Sequence, residues 1–443
     1  MSTQNNKPTV PKIMTNLNFG RFGWMFVIYY FIALLFNVGI TADGTNLLVP
    51  RFSQDRGMEA ADLLVAASIA GYISLVAYVV FMFWIKKTGG RIPATVMYIV
   101  SGVFFIIYGQ SQNFVFYVAT YTVTVAFLNG LTWSACANMA SEWFPRKKGL
   151  VMGIVTIGNN AVSIVFLPML AFLLNRIGIS GATMVFGIVM IVIGAGGHFM
   201  IRNRPEDIGL HPDNITPQQE KENGLPPISE LISADRAGVW TMGQILTKKE
   251  FWIIAVTTAL CYLGSGLGMM QQIVRLREFG YTENEALLIN AIFVGGVGIV
   301  GSYLWGVIDQ KRGTRKAVMI YAASYAVGFF LNVMAGMVEN GIPIIMVSVA
   351  LMGFCLGGSA NWPVSLTASL WGRRDFITAF TPLNIISIVG RMSCFALIAF
   401  TMKLSNGTLQ GSYIAGGLVF IVVFVLISTL NIPKFVEKYP LNQ

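Results

Sequence analysis

The sequence has little charge for its length. Only 11% of its 443 residues are charged, whereas soluble domains carry about 25%. It has two histidines, His198 and His211, and neither lies beside the other residues that a metal site or a catalytic nucleophile requires. The pair Gly-Lys, which ends a phosphate-binding loop, does not occur, so nothing supports direct use of ATP. These absences argue against a soluble enzyme, an intramembrane hydrolase and an ATPase.

Cysteine is also scarce. The four cysteines lie inside predicted helices without metal-ligand spacing, and they are Cys136, Cys261, Cys355 and Cys394. One glycine pattern, from Gly296 to Gly301, matches a dinucleotide motif but lies within an apolar segment instead of between a strand and a helix. We therefore expect no metal and no cofactor.

Apolar residues dominate what remains. They make up 55% of the chain, and the mean hydropathy is +0.66. A helix needs about 20 apolar residues to cross a bilayer, and on this criterion we predict twelve spans. The first is too long and too aromatic to be a cleaved signal peptide. The spans are predicted to start at Trp24, Asp62, Ile92, Asn113, Gly149 and Ala182, and then at Phe251, Glu285, Lys316, Gly341, Asp375 and Gly411.

The basic residues predict the orientation. They concentrate in alternate loops, at Lys86, Lys87 and Arg91, at 146–148 and at 311–316. Short basic loops stay in the cytoplasm, so we expect both termini there and a multi-pass protein in the inner (plasma) membrane. This distribution also accounts for the net charge of +10, and we expect no nucleic acid as a partner.

A polar stretch at 202–249 divides the chain. We predict a first six-helix bundle at 1–201, a cytoplasmic linker at 202–249 and a second bundle at 250–443. Trp24 and Trp252, and likewise Trp143 and Trp371, lie about 228 residues apart, which indicates a repeated unit. The predicted fold is therefore an all-α membrane protein of twelve transmembrane helices, in which a pseudo-two-fold axis along the membrane normal relates two six-helix bundles.

Four short motifs carry a family resemblance. They are Trp-Phe-Pro-Arg-Lys-Lys-Gly at 143–149, Arg-Asn-Arg-Pro-Glu-Asp-Ile-Gly-Leu-His-Pro-Asp at 202–213, Leu-Thr-Lys-Lys-Glu-Phe-Trp at 246–252 and Trp-Gly-Arg-Arg-Asp-Phe at 371–376. In this order they resemble the major facilitator superfamily, and within it the oxalate/formate antiporter-like and monocarboxylate porters. The resemblance covers nearly the whole chain and implies a secondary transporter, not an enzyme.

Three residues depart from the patterns of the resembled families. The loop after the second span usually has Asp before a basic residue, and here Lys86 and Lys87 take those positions. The segment 43–47 resembles the first span of anion:cation symporters, but Gly44 replaces the Arg that commonly follows Asp43.

Arg391 is the basic residue predicted to lie near the middle of the bilayer. A charge there costs at least about 2.5–3.5 kcal/mol, so it needs a partner or a water-filled cavity. One interpretation is that its guanidinium binds a substrate carboxylate; the other is an internal ion pair or a helix-capping role. Asp43, in the outer half of the first span, has two functional interpretations, a coupling site for a proton or the resting partner of Arg391. The competing interpretation is a satisfied carboxylate near the outer interface.

Neutral polar and aromatic residues cluster on the spans that line the central cavity in the resembled family. For each of them, helix packing is the competing interpretation. Trp133 and Trp362 occupy equivalent repeat positions, where two indoles would sandwich a substrate or fill the bundle. The candidate substrate-binding residues besides Arg391 are Tyr29, Asn37, Asn129, Trp133, Tyr262, Gln271, Asn361, Trp362 and Asn384.

The sequence thus predicts a carrier for a small or medium organic anion, with a carboxylate as the expected substrate. It would work by rocker-switch alternating access, as a monomer in the lipid bilayer, with a proton or a counter-anion as its second partner. The alternative is an efflux or uptake carrier for amphipathic drug-like or bile-acid-like compounds. A channel or a substrate-sensing receptor is a third class, and saturable counterflow would distinguish it from a carrier.

Overall fold

The computed structural model describes residue 13 and residues 16–228, 240–372 and 375–439. Within these residues the protein is helical and has no strand. Ten helices are long and apolar enough to cross a membrane, or up to eleven if a bent pair is one span. Residues 229–239 of the predicted linker and the arginines 373 and 374 of the fourth motif lie outside the described residues.

We name the long helices α1 to α12 in chain order. Each begins within about one turn of a predicted span. The bounds are α1 Gly20–Asp43, α2 Ala60–Thr88, α3 Arg91–Tyr108, α4 Phe114–Trp143, α5 and α6 as the two arms of Leu150–Met200, α7 Lys249–Met269, α8 Glu283–Arg312, α9 Thr314–Ala335, α10 as the bent pair Ile342–Leu356 and Asn361–Trp371, α11 Thr378–Leu404 and α12 Gln410–Lys438.

Local sequence signals set several helix ends. The Asn113 side chain accepts a hydrogen bond from the backbone N–H of Phe116 and so caps α4. Thr282 and Glu285 cap α8 reciprocally, which satisfies two of the N–H groups that a helix start leaves without partners. Gly89 ends α2 with φ 74°, a conformation that glycine adopts without strain. Between these ends, the helix satisfies the backbone groups that lipid cannot.

The long helix Leu150–Met200 turns back at Gly178, where φ is 67° and ψ is −174°. Its second arm, α6, runs antiparallel to α3: the Arg91 side chain donates to the carbonyl of His198 at 2.8 Å, and Ser180 donates to the carbonyl of Gly109 at 2.9 Å. The Arg91 end of α3 is called the linker side here, and the Gly109 end is called the far side. The chain therefore reverses direction at Gly178.

The linker is fixed to both halves at its two ends. Buried Asp213 accepts hydrogen bonds from the backbone N–H groups of Arg146, at 3.1 Å, and Lys147, at 2.8 Å. At the other end, the backbone N–H of Trp240 donates to Asp375 at 2.9 Å. The first part of the linker thus belongs structurally to the first half and the last part to the second.

The two halves meet on the far side. Lys403 of α11 pairs with Asp62 of α2 at 3.3 Å, and Arg51 pairs with Glu283 at 3.8 Å. Several side chains also hydrogen-bond across the same side. Among the described residues, no hydrogen bond or ion pair joins the halves on the linker side. In the part of the chain that the structure describes, hydrogen bonds and ion pairs therefore join the halves at one end only.

Replacing Asp213 with Ala should release the first part of the linker, because two backbone N–H groups then lose their buried acceptor, at a cost of about 1–3 kcal/mol. Limited trypsin digestion of purified protein measures this as cleavage after exposed Lys221. We expect cleavage to be at least about fivefold faster, since local opening sets the rate. Glu222→Ala is the control, because Glu222 is exposed and bonds only to Gln218; equal rates for the two variants would contradict the anchor.

Candidate functional site

Arg391 points into the bundle. It is half-buried near the middle of α11, whereas Ile385 and Val389 on the same helix are each 40% exposed and belong to the outer surface. Residues on a helix are rotated by about 100° from one to the next. Arg391 therefore lies on roughly the opposite face of α11 from Val389, toward the other helices.

The charge of Arg391 acts on Asp43 of α1 and Tyr262 of α7. The side chains of Arg391 and Asp43 have no hydrogen-bond partner within the described residues, and they form no ion pair within 4.0 Å there. Their side-chain polar atoms are not among those sealed from solvent. A guanidinium with free donors thus faces a carboxylate in the interior, and neither is neutralised by direct contact.

Asp43 ends a π-helical segment, Gly39–Asp43. The next backbone N–H, of Gly44, bonds to the carbonyl of Gly39 at 2.8 Å. A Cβ on Gly44 would lie 2.1 Å from that carbonyl oxygen, so only glycine fits this turn. This turn accounts for glycine at position 44, where the resembled symporters have Arg. π-Helical segments are also frequent at functional sites.

Four more predicted residues have side-chain polar groups without partners. Asn384 lies two turns before Arg391 on the same face of α11, and Tyr262, Asn361 and Trp133 are half-buried within their helices. Their polar atoms have no hydrogen-bond partner among the described residues and are not sealed from solvent. Such groups are available to a ligand.

Three predicted amides have partners inside the protein. Asn37 donates to Asn129 at 3.0 Å, and Asn129 donates to Ser74 at 3.1 Å, which ties α1, α4 and α2 together. Gln271 donates to Thr45 at 3.4 Å on the far side. Hydrogen bonds between helices therefore occupy these groups.

Tyr29 and Trp362 lie in the cores of the two halves. Tyr29 packs edge-on against Tyr98, with ring centroids 5.5 Å apart. Trp362 is fully buried, with Trp305 and Tyr321 at 5.8 and 5.2 Å. Of the two tryptophans at equivalent repeat positions, only Trp133 is open to the interior.

The sequence analysis missed a group of polar residues that join the two halves on the far side. Thr45 donates to the carbonyl of Met270 at 3.1 Å, and Ser68 donates to that of Met392 at 2.6 Å. The only available signal for Thr45 was its place beside Asp43. Ser68 stands in an apolar helix with no pattern that would have singled it out.

Within the described residues, no group of three or more His, Cys, Asp or Glu is placed to hold a metal ion. Around Arg391 the described residues offer a cation, a carboxylate, amides and aromatic rings. A helical membrane protein with such polar groups inside is typical of the transporter class.

The chain belongs to the Major Facilitator Superfamily, whose profile matches residues 33–381. Members of this family are transporters, not enzymes. The resemblance found in the sequence is confirmed: homologues include an oxalate:formate antiporter and monocarboxylate transporters.

The chain is 23% identical over 307 residues to the oxalate:formate antiporter of Oxalobacter formigenes, covering 68% of this chain and 65% of the relative. It is 22% identical over 219 residues to monocarboxylate transporter 9 of Mus musculus, covering 46% and 41% of the two chains. It is 20% identical over 285 residues to apicoplast pyruvate carrier 1 of Toxoplasma gondii, covering 55% and 52%. The matched region thus spans between 41% and 65% of the length of these curated relatives.

Among solved structures, a bacterial homologue of the human lysosomal transporter Spinster, in an inward-facing and occupied conformation, superposes with a TM-score of 0.69. The sequences are 12% identical, and the superposition covers 95% of this chain and 98% of the other. This likeness establishes the fold.

The two kinds of amide should respond differently to truncation. Asn129→Ala should lower the free energy of unfolding by about 1–2 kcal/mol, because it removes two interhelical bonds and leaves Asn37 without its acceptor. Asn384→Ala should change it by less than about 0.5 kcal/mol, because Asn384 has no partner to lose. Melting of the purified proteins in one detergent compares them, and an equal loss in both would show that Asn384 is also structural.

Proposed function

We propose that the protein is a secondary active transporter that moves a small or medium organic anion, a carboxylate, across the membrane. The observation that carries this proposal is Arg391, a cation inside the bundle whose donors have no hydrogen-bond or ion-pair partner among the described residues. A planar guanidinium fork matches a carboxylate with two parallel hydrogen bonds. Among the relatives, the oxalate:formate antiporter and the pyruvate carrier are named for carboxylates, which supports the same substrate class here.

The architecture we propose has twelve crossings. It counts α5 and α6 as two spans and the bent pair of α10 as one, with a pseudo-two-fold axis relating the bundles at 1–201 and 250–443. The basic loops at Lys86, Lys87 and Arg91 lie on the linker side, which by the positive-inside rule is the cytoplasm. Both termini would then be cytoplasmic, in the plasma membrane, and the functional unit would be one chain.

The contacts between the halves support alternating access by a rocker switch. Hydrogen bonds and ion pairs join the halves on the far side, and within the described residues none joins them on the linker side. We assign this arrangement to an inward-facing state, in which Arg391 is reached from the cytoplasm. The similar Spinster homologue was solved in a state of that description.

Asp43 supplies a reason for coupling to protons. A substrate carboxylate bound to Arg391 would stand near the Asp43 carboxylate, and like charges at close range in a poorly solvated place disfavour ionisation of both. Binding of one proton with each monocarboxylate removes the conflict. A dianion exchanged for another anion would need no proton, so both coupling modes fit one site.

Arg391→Ala should abolish carboxylate transport, because the bound anion loses its counter-charge. Proteoliposomes loaded with oxalate, pyruvate or lactate measure this as counterflow of the labelled compound. Loss of one buried charge-assisted bond costs about 2–5 kcal/mol, so we expect activity to fall by at least about thirtyfold. Arg391→Lys, which keeps the charge without the fork, should retain a small part of the activity.

Arg176→Ala is the matched control, since Arg176 lies against the Phe172 ring beside the far-side crevice at 164–176 and 284–291. Its counterflow should equal that of the unchanged protein. Normal counterflow by Arg391→Ala would refute the anion site. The rival hypothesis, transport of amphipathic drug-like or bile-acid-like compounds, predicts cholate transport that depends little on Arg391.

Asp43→Asn should separate exchange from proton-driven accumulation. Counterflow at equal pH on both sides should persist, because the amide side chain of this variant carries no charge to be compensated, while accumulation driven by an imposed pH gradient should be lost. Asp55→Asn is the control, because Asp55 is exposed on the far side and its side chain forms no ion pair or hydrogen bond among the described residues. Gradient-driven accumulation that survives in Asp43→Asn would exclude Asp43 as the proton site.

A further inference from the structure

Two side chains of the first half hold backbone groups of the second half on the far side, each next to one of the two interior charges. We propose that Ser68 and Asn46 are positioning residues that join closure of the far side to the geometry of the transport site. The inference rests on the proposed function only for the identity of that site, Asp43 and Arg391. The two contacts are named the Ser68 latch and the Asn46 latch.

The Ser68 latch fixes the helical turn that follows Arg391. Buried Ser68 donates from its hydroxyl to the carbonyl of Met392 at 2.6 Å and accepts from the backbone N–H of Ala396 at 2.8 Å. These two backbone groups are the acceptor and donor of one turn of α11. One hydroxyl of α2 therefore holds α11 at the residue next to Arg391.

A glycine makes this close contact of α2 and α11 possible. Gly71 lies about one turn after Ser68, and a Cβ there would be 2.2 Å from the sulfur of Met392 and 2.8 Å from its Cβ. Any larger residue at position 71 would push the two helices apart. Steric fit and hydrogen bonding thus act at the same place.

The Asn46 latch spans a break in the second half. α7 ends at Met269, and the next helix, Gln272–Glu278, starts just beyond it. The Asn46 side chain donates to the carbonyl of Met269 at 3.3 Å and accepts from the backbone N–H of Ile273 at 3.0 Å. It also donates to the backbone carbonyl of Asp43 at 2.9 Å, so one amide connects the break in α7 to the backbone of the residue that carries the site carboxylate.

The two latches keep the charges of Asp43 and Arg391 close enough to interact. Asp43 belongs to the first half and Arg391 to the second, so opening the far side must separate them. Both latches have to break in that step, because each joins one half to the other. A substrate that needs both groups together stabilises the latched state, and loss of a latch shifts the protein toward the far-side-open state.

Single cysteine substitutions on the far side and on the linker side test this proposal. The protein is placed in nanodiscs, where a membrane-impermeant maleimide reaches both sides. Met270→Cys reports on the far side, where Met270 is 7% exposed. Ala137→Cys reports on the linker side, one turn beyond Trp133 and half-buried. The protein without a reporter is the blank, because its four cysteines are buried.

Ser68→Ala and Asn46→Ala should each raise the labelling rate of Met270→Cys by about twofold to tenfold, the range expected for loss of a net hydrogen bond. Labelling of Ala137→Cys should fall at the same time. Ser101→Ala is the control, because its hydroxyl is equally buried but bonds to Tyr98 within its own helix. It should change neither rate.

Labelling unchanged at Met270→Cys, or raised at both reporters as general loosening would raise it, overturns the proposal. Gly71→Ala gives a second, steric test: it should raise far-side labelling as the latch variants do. Adding Met392→Ala should reverse most of the change, because it removes the sulfur at 2.2 Å and leaves only the Cβ contact at 2.8 Å. The labelling needs no substrate, so its outcome is independent of whether Arg391→Ala abolishes transport.

Discussion

The structure depends on one constraint, the charge of Arg391 inside a bundle of apolar helices. A guanidinium in the middle of a bilayer is tolerated only beside a counter-charge or in a water-filled space. Arg391 meets this requirement only in part. Its charge interacts with that of Asp43, but among the described residues no contact neutralises either group. A site left incomplete in this way is suited to bind an anion that arrives and leaves.

The helices that carry the site are not regular. π-helical segments occur at Gly39–Asp43, Gly130–Cys136, Val162–Phe166 and Ala291–Val297. The first ends at Asp43 and the second contains Trp133. The other two meet at the boundary between the halves, where a Cβ on Gly295 would lie 2.6 Å from Ile164. Irregular turns thus coincide with the interior polar groups and with the surface along which the halves must move.

Much of the fold could be predicted from the sequence because lipid imposes a simple rule. Every apolar run of bilayer length must be helical, so the helices start within about one turn of the predicted spans. The position of Arg391 was predictable for the same reason, as a charge within an apolar run. What could not be predicted was toward which neighbours each side chain points from its helix. Asn129 and Asn384 have the same side chain on similar spans, yet only the first meets partners, Asn37 and Ser74.

The hydrogen bonds of Thr45, Asn46 and Ser68 between the halves could not be predicted from the sequence either, because each pairs a side chain of one half with the backbone of the other. Every residue has a backbone carbonyl, so the partner of Ser68 leaves no mark in the sequence. A repeat points to equivalent positions but not to equivalent environments: Trp133 and Trp362 match in the alignment of the halves, and only one is open to the interior.

The kinds of bond that close the far side are compatible with the proposed reopening of that side. A surface ion pair such as that of Lys403, whose side chain is 55% exposed, contributes about 0–1 kcal/mol, and a neutral hydrogen bond contributes about 0.5–1.5 kcal/mol net. Breaking a buried ion pair by removing one partner would cost about 3–5 kcal/mol. A far side held by buried ion pairs would be difficult to open, whereas one held by weak bonds can exchange between states of similar free energy. The strong electrostatic interaction remains available at Arg391, where a bound anion can use it to select one state over the other.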